Sequence, residues 1–418
     1  MTRISKTALL INTGSSRNLG DRAMLFNICR LLSARGARYI YSTYPSGPPD
    51  INGETEVLGY VSLCSRLGRF ASLGVKPDSS IVMIELFILF TGLSALCIPT
   101  LFSRRWLSAW LNRDDLLSAI DRSDFILFSG GGYLTDMGRL EARACLLTGV
   151  LGIMLGKPVY FSGQGIGPVK EPLTRVLLKF VARRAKRILL RDRDASRNLL
   201  VNLNVDSKKI RESGDDALTL AAVPPAPDSR KNISKILGVH LRLTPFGNKS
   251  AVLIEHARSI FQPLIQEGWK LRFYKFATQS TWETDIYSKI TRNMDDDVYS
   301  IVHFNEPGEV RQSVGECTVC IGMAYHFLLF SLAEAVPAIG IYSGPYYRQK
   351  LQGLYGWYGR QEWVLDQDQA QSEVLIKLIH ALDSEHTFLA EQLSEITSEL
   401  STHYLREIDE MIQIAMDE

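Results

Sequence analysis

Short apolar runs alternate with amphipathic stretches along most of the first half of the chain. Residues 8–11 form a wholly apolar run that predicts a buried strand. From Asp21 onward, Met24, Leu25, Ile28, Leu31 and Leu32 recur at helical spacing. Residues 39–44, 125–128, 159–162 and 188–190 predict further strands. Behind Pro172, which suits a first helical turn, Leu173, Val176, Leu177, Phe180 and Val181 keep helical register. Strands alternating with helices imply an open, doubly wound parallel sheet.

The pattern breaks in the run PPAPDSRKNISK, where prolines and polar residues show no apolar period and read as a linker. A second strand–helix series follows, with strand candidates at 237–243, 270–276, 299–303, 318–321 and 338–342. The expected organisation is an N-terminal α/β domain over 1–222, a linker over 223–235, a second α/β domain over 236–384 and a helical segment over 385–418. Two Rossmann-like open parallel-sheet domains of this kind face each other across a cleft at the carboxyl ends of their strands.

One stretch departs from the alternation. Residues 80–102, containing IVMIELFILFTGLSALCIPTLF, are almost entirely apolar and long enough in principle to cross a bilayer. Glu85, Gly92 and Pro99 interrupt the run, and Arg104, Arg105, Trp106, Trp110 and Arg113 flank it. A segment dipping into one leaflet, anchored by the Trp/Arg flank, is the leading expectation; core burial comes second and a full span last. The first residues lack the long apolar core of a secretory signal, so a cytoplasmic location is expected, peripheral at the inner face of the membrane if the apolar run touches lipid.

Composition adds bounds. The chain has 418 residues, 46% hydrophobic and 22% charged, which excludes a disordered or fibrous protein. Lys+Arg at 47 nearly balances Asp+Glu at 45, so no global charge points to nucleic acid. Six scattered cysteines do not make a disulfide scaffold. Cys317 and Cys320 have C-x-x-C spacing but lie in an apolar strand, with no second pair for zinc, and read as core thiols. Oligomeric state is not legible.

Candidate chemistry gathers at the strand ends. The loops Asn12…Gly20-Asp21, Gly130-Gly131-Gly132 and Gly163-Gln164-Gly165-Ile166-Gly167-Pro168 each follow a predicted strand. Glycine lets backbone N–H groups approach an anion, and a following helix N-terminus favours negative charge. None of the three is a P-loop or a dinucleotide fingerprint. In Gly238-Val239-His240-Leu241-Arg242-Leu243, period two puts His240 and Arg242 on one strand face, and Arg242 near the strand end can hold a carboxylate or phosphate. Ala324-Tyr325-His326 opens a helix after an apolar strand. His326 there suits proton transfer near neutral pH.

Taken in order, these motifs resemble the polysaccharide pyruvyl transferase family. The resemblance runs from about Leu9 to Tyr358 and also takes in Arg191-Asp192 with Ser196, Gly214-Asp215-Asp216-Ala217 and Val336-Pro337…Tyr342. It implies a fold similar to B-type glycosyltransferases and transfer of the enolpyruvyl carbons of phosphoenolpyruvate onto two hydroxyls of a sugar or lipid-linked glycan, giving a cyclic ketal. Phosphoenolpyruvate would be a co-substrate, with no metal or redox cofactor. The resemblance gives His326 a proton-transfer role and Arg242 an anion contact. His240, Asn12, Gly20, Asp21, Gly131, Gly132, Gln164, Gly165 and Tyr325 complete the candidate substrate-binding set. The family reads Arg-x-His where this chain has Ala324, one cation fewer. Arg348 and Lys350, beyond the Gly344-Pro345 turn, are candidates to replace it. A nucleotide-sugar glycosyltransferase or a non-catalytic binding protein on the same architecture are the alternatives.

Overall fold

The computed structural model describes residues 5–11, 18–43, 56–59, 115–223, 235–242, 250–277 and 281–418. Asn12, the apolar stretch 80–102 and residues 224–234 of the Pro-rich linker lie outside the described residues. Among the described residues, no helix is long and apolar enough to cross a membrane.

The first sheet contains β1 (Thr7–Ile11), β2 (Arg38–Thr43), β3 (Glu56–Gly59), β4 (Phe125–Phe128), β5 (Gly131–Leu134), β6 (Val159–Ile166), β7 (Arg187–Leu190) and β8 (Ile210–Glu212). Their spatial order is β3-β2-β1-β4-β6-β7-β8, with β5 on β6. The second sheet contains β9 (Ile236–His240), β10 (Lys270–Lys275), β11 (Tyr299–His303), β12 (Val319–Gly322), β13 (Ala338–Tyr342) and β14 (Val364–Asp366), in the order β11-β10-β9-β12-β13-β14. Every pairing between these strands is parallel. In both sheets the order reverses beside the first strand, which opens a crevice at the carboxyl edge.

The apolar runs form strands because both faces of each sheet are covered. Along β1, Leu9 and Ile11 belong to one buried cluster while Ala8 and Leu10 belong to another; Ile126 and Phe128 divide from Phe125 and Leu127 in the same way along β4. The helices start where the sequence supplies caps. Asn18 accepts from Gly20 N at 2.9 Å to open α1 (Leu19–Ala34). Asp115–Arg122 and Arg139–Met154 form α2 and α3, and Glu171 with Pro172 opens α4 (Pro172–Arg184). Ala195–Asn202 is α5. The second domain adds α6 (Ser250–Gln266), α7 (Trp282–Thr291), α8 (Pro307–Val314), α9 (Tyr325–Ala333), α10 (Pro345–Tyr358) and α11 (Ser372–Ser384).

The final helix, α12 (His386–Asp417), ties the two domains together. Thr397 meets Tyr358 of the second domain at 3.2 Å. Further along, Tyr404 donates to Asp216 at 3.1 Å, and Glu418 accepts from Tyr160 and Lys186 of the first domain. One buried cluster accordingly runs from β1 and β4 through the second sheet into α12.

Three strand expectations need adjustment. β6 continues through Gly163, Gln164 and Gly165 where a loop was expected, and Gly131-Gly132 lie in β5. β9 ends at His240, so the period-two argument does not carry on to Arg242.

Candidate active site

The carboxyl edges of the two sheets enclose a cleft of about 530 Å³. Its first-domain wall is built from Asn18, Asp21, Gly130–Gly132, Glu141 and Arg191. Its second-domain wall is built from Arg242, Met323, Tyr325, His326, Tyr346 and Lys350.

His326 sits in the first turn of α9, where the chain leaves β12, and is 8% exposed. Across the domain boundary, a Cβ on Gly20 would lie 2.0 Å from His326 Nδ1, so only glycine at that position leaves room for the imidazole. His326 Nε2 lies 3.6 Å from Asp215 Oδ1 and makes no hydrogen bond. Asp215 also accepts from Arg191 Nη1 at 3.0 Å and from Ala217 N at 2.8 Å. Burial alone would raise the Asp215 carboxyl; the His326 imidazole, Arg191 guanidinium and Ala217 N–H outweigh it and hold it down at about 2.

Arg191, just past the end of β7, is not among the sequence's candidate site residues, yet it brings a cation into the cleft. It is 3% exposed, its guanidinium carbon lies 4.3 Å from the Tyr325 ring centre, and its Nη2 is buried without a hydrogen-bond partner. A buried guanidinium nitrogen beside two glycine strands has a donor available to an anion's oxygen. Lys350, half-buried on α10, is 5.1 Å from the Tyr346 ring centre. Burial, and then the positive charges of Arg191 and Arg242, push its ammonium down to about 7, with Asp21 and Asp215 opposing. Asp21 is raised by burial against the pull of His326, Lys350 and Arg191; Glu141 is raised by burial and by Asp21. Cations and an imidazole thus share the cleft with two carboxyl groups whose hold on a proton is strengthened by burial. This arrangement can hold a small multiply charged anion, give it a proton and accept hydrogen bonds from hydroxyls.

The remaining sequence candidates divide. Gly131, Gly132, Tyr325, Arg242 and Lys350 line the cleft, and Gly165 lines a small side space behind Arg191. Gln164 does not reach the cleft: it is fully buried and donates to Ser129 O at 2.6 Å and Tyr133 Oη at 3.0 Å, tying β5 to β6. His240 is likewise internal, because β9 ends there and its ring turns inward. Its Nε2 pairs with Glu283 at 3.1 Å, and Glu283 accepts from Phe276 and Ala277 N–H groups beneath the cleft wall. Arg348 is exposed and outside the lining.

The other motif residues build the scaffold. Asp192 accepts from Ser196 N, and Ser196 Oγ accepts from Ile166 N at 2.7 Å, which pins the end of β6. Asp216 accepts from Gly130 N at 2.8 Å, Ser162 Oγ at 2.6 Å and Tyr404 Oη. Gly163 has φ 52°, and a Cβ there would lie 2.5 Å from Asp216 Oδ1. Cys317 and Cys320 are free and buried, as core thiols.

The model of the family described as polysaccharide pyruvyl transferase matches residues 18–345, which takes in the first-domain wall of the cleft and the second-domain wall as far as His326, with Tyr346 and Lys350 just beyond. The chain belongs to the polysaccharide pyruvyl transferase family. Among curated relatives, the amylovoran biosynthesis protein AmsJ of Erwinia amylovora is 22% identical over 283 residues. That match covers 62% of this chain and 66% of AmsJ, just under two thirds of the relative. The fold of this pyruvyl transferase family member is similar to that of Anabaena HepE in complex with UDP-glucose, with TM-score 0.57, 12% identity and 99% and 100% of the two chains covered. It is also similar to the S. aureus MnaA–UDP co-structure, with TM-score 0.57, 10% identity and 97% of each chain covered. A glycosyltransferase from Rickettsia africae gives TM-score 0.56 at 11% identity over 99% of each chain. These likenesses establish the two-domain, B-type glycosyltransferase-like architecture.

Proposed function

We propose that the protein is a transferase that uses phosphoenolpyruvate to form a pyruvate ketal on a sugar of a glycan or lipid-linked saccharide. The observation that carries this reading is the meeting, in one cleft, of His326 with the unpartnered nitrogen of Arg191, beside Arg242 and Lys350. Phosphoenolpyruvate bears a phosphate and a carboxylate, and these cations match both.

In this reading His326, protonated, gives a proton to the methylene carbon, and C2 becomes electrophilic. One sugar hydroxyl adds to C2 and a second displaces phosphate. Of the two hydroxyl protons released, one balances the proton gained by carbon and the other leaves on phosphate. Asp215 holds the imidazolium by charge, while Asp21 and Glu141 face the acceptor hydroxyls. Lys350 and Arg191 supply the positive charge that Ala324 does not.

A second reading, transfer from a nucleotide sugar, has one observation in its favour. A separate cavity of about 290 Å³ shares Met323 with the cleft and has Leu241, Ile260, Phe261, Ile321 and Ile341 in its walls, with Gln367 and Gln371 also lining it. The HepE and MnaA structures named above hold UDP-glucose and UDP. Phosphate release from phosphoenolpyruvate with candidate acceptors, by wild type and His326→Ala, separates the readings. The proposal expects release by wild type and a loss of at least about a hundredfold in the variant. Equal release by both removes His326 from the mechanism. A thermal shift with UDP- or GDP-sugars and none with phosphoenolpyruvate supports nucleotide-sugar transfer.

A further inference from the structure

Helix α10 belongs to the second domain by sequence, yet one of its faces lies on the first. Tyr346, Gln349, Gly353 and Trp357 recur at spacings of three and four, so they share a helical stripe. Each meets a different part of the carboxyl edge of the first sheet. Tyr346 Oη donates to Gly132 O at 2.8 Å, Gln349 Nε2 to Ile166 O at 3.0 Å, and Trp357 Nε1 to Arg191 O at 2.7 Å. Gly353 is pressed so close that a Cβ would lie 2.7 Å from Asp192 Cβ.

The grip is on backbone, at the residues that carry the site. The carbonyl held by Trp357 is that of Arg191 itself, and Gln349 holds the end of β6, whose Gly165 would, with a Cβ, come within 2.6 Å of Arg191 Nε. The same helix brings Lys350 into the cleft. We infer that Gln349 and Trp357 are positioning residues, which act through the backbone of Ile166 and Arg191 to hold the Arg191 guanidinium in register with His326 and Lys350 across the domain boundary. Other contacts also join the domains: Arg311 to Leu218 O and Leu19 N to Phe276 O do not touch Arg191, and the Tyr325 ring, 4.3 Å from its guanidinium carbon, stacks on the side chain without holding its backbone.

The consequence is linkage. An anion that binds Arg191 from one domain and Lys350 from the other favours the clasped state, and the clasp in turn raises affinity for that anion. This part rests on the anion role proposed above for Arg191.

Trp357→Phe and Gln349→Met remove the two donors while keeping most of the bulk. The test uses the full chain, with spin labels carried by unnatural amino acids at the exposed Val176 and Val374, one on each domain. Pulsed electron paramagnetic resonance without ligand is expected to give a narrow distance distribution for wild type and a broader one for the double variant. The KM for phosphoenolpyruvate is expected to rise about tenfold while kcat changes less than about threefold. A distribution as narrow as that of wild type overturns the clasp. A broadened distribution with unchanged KM overturns the positioning of Arg191. If wild type turns over no phosphoenolpyruvate, the functional reading fails separately. The distance distribution and the affinity for inorganic phosphate then decide, and no change in either one overturns the inference.

Discussion

Asp216 tests the reasoning about the scaffold most directly. Its side chain is fully buried and accepts from Gly130 N, Ser162 Oγ and Tyr404 Oη. Burial, reinforced by the neighbouring charge of Asp215, pushes its carboxyl up to about 7 in spite of those three donors. Between the ordinary aspartate value and 7 the folded protein keeps a proton that the unfolded chain has lost. Stability from this group is therefore fully present below the unfolded value and declines as pH rises toward 7. Its full span is ~4 kcal/mol, taken from the size of the shift. Asp216→Asn keeps the shape and cannot ionise. Its carbonyl can still accept from Gly130 and Ser162, and its amide can turn to the Tyr404 oxygen. Urea denaturation of both proteins from pH 5 to pH 8 is expected to show the variant gaining on wild type by ~3 kcal/mol across that range, since the remaining titrations are common to both. Parallel stability curves would refute the argument, because they would mean that Asp216 is ionised in the fold throughout.

Three further outcomes concern the cleft. Arg191→Lys keeps a charge but not the fork that pairs with Asp215 while leaving Nη2 free, so KM for phosphoenolpyruvate is expected to rise about tenfold or more in steady-state assays. Lys350, held at about 7, loses its charge as pH rises through that value. Phosphoenolpyruvate affinity measured by calorimetry is expected to fall from pH 6.5 to pH 8.5, and Lys350→Arg is expected to flatten the profile. Gly20→Ala puts a methyl group where the His326 ring lies, so phosphate release is expected to drop by at least about a hundredfold with an unchanged circular dichroism spectrum. An active Gly20→Ala enzyme would show that the imidazole need not sit there.

Most of the central parallel strands were legible as short apolar runs, because burial on both faces leaves little else for such a run to be, whereas β3, β5, β8 and β14, reading EVLG, GGYL, IRE and VLD, are too short or too polar to stand out. The place of His326 at the cleft was legible for the same reason, as a polar residue just past a buried strand. His240 and Arg242 were less so. Alternation assigns them one face only while the strand lasts, and β9 stops between them, leaving the first in the core with Glu283 and the second in the cleft. Arg191 could not be placed from its neighbours, because what draws it inward is Asp215, 24 positions on, and what frames it are glycines of two other strands. The same holds for the charge that Ala324 leaves out. Counted along the motif, the resemblance implies one cation more than this chain has at Ala324. Counted around the cleft, Arg191, Arg242 and Lys350 come from three different elements, and α10 carries one of them while its Trp357 holds the backbone of another. In the proposed reading, the charge that meets the anion is set by which strand ends and which helix the fold brings together, so the alanine is a test of that arrangement and not by itself a sign of lost activity.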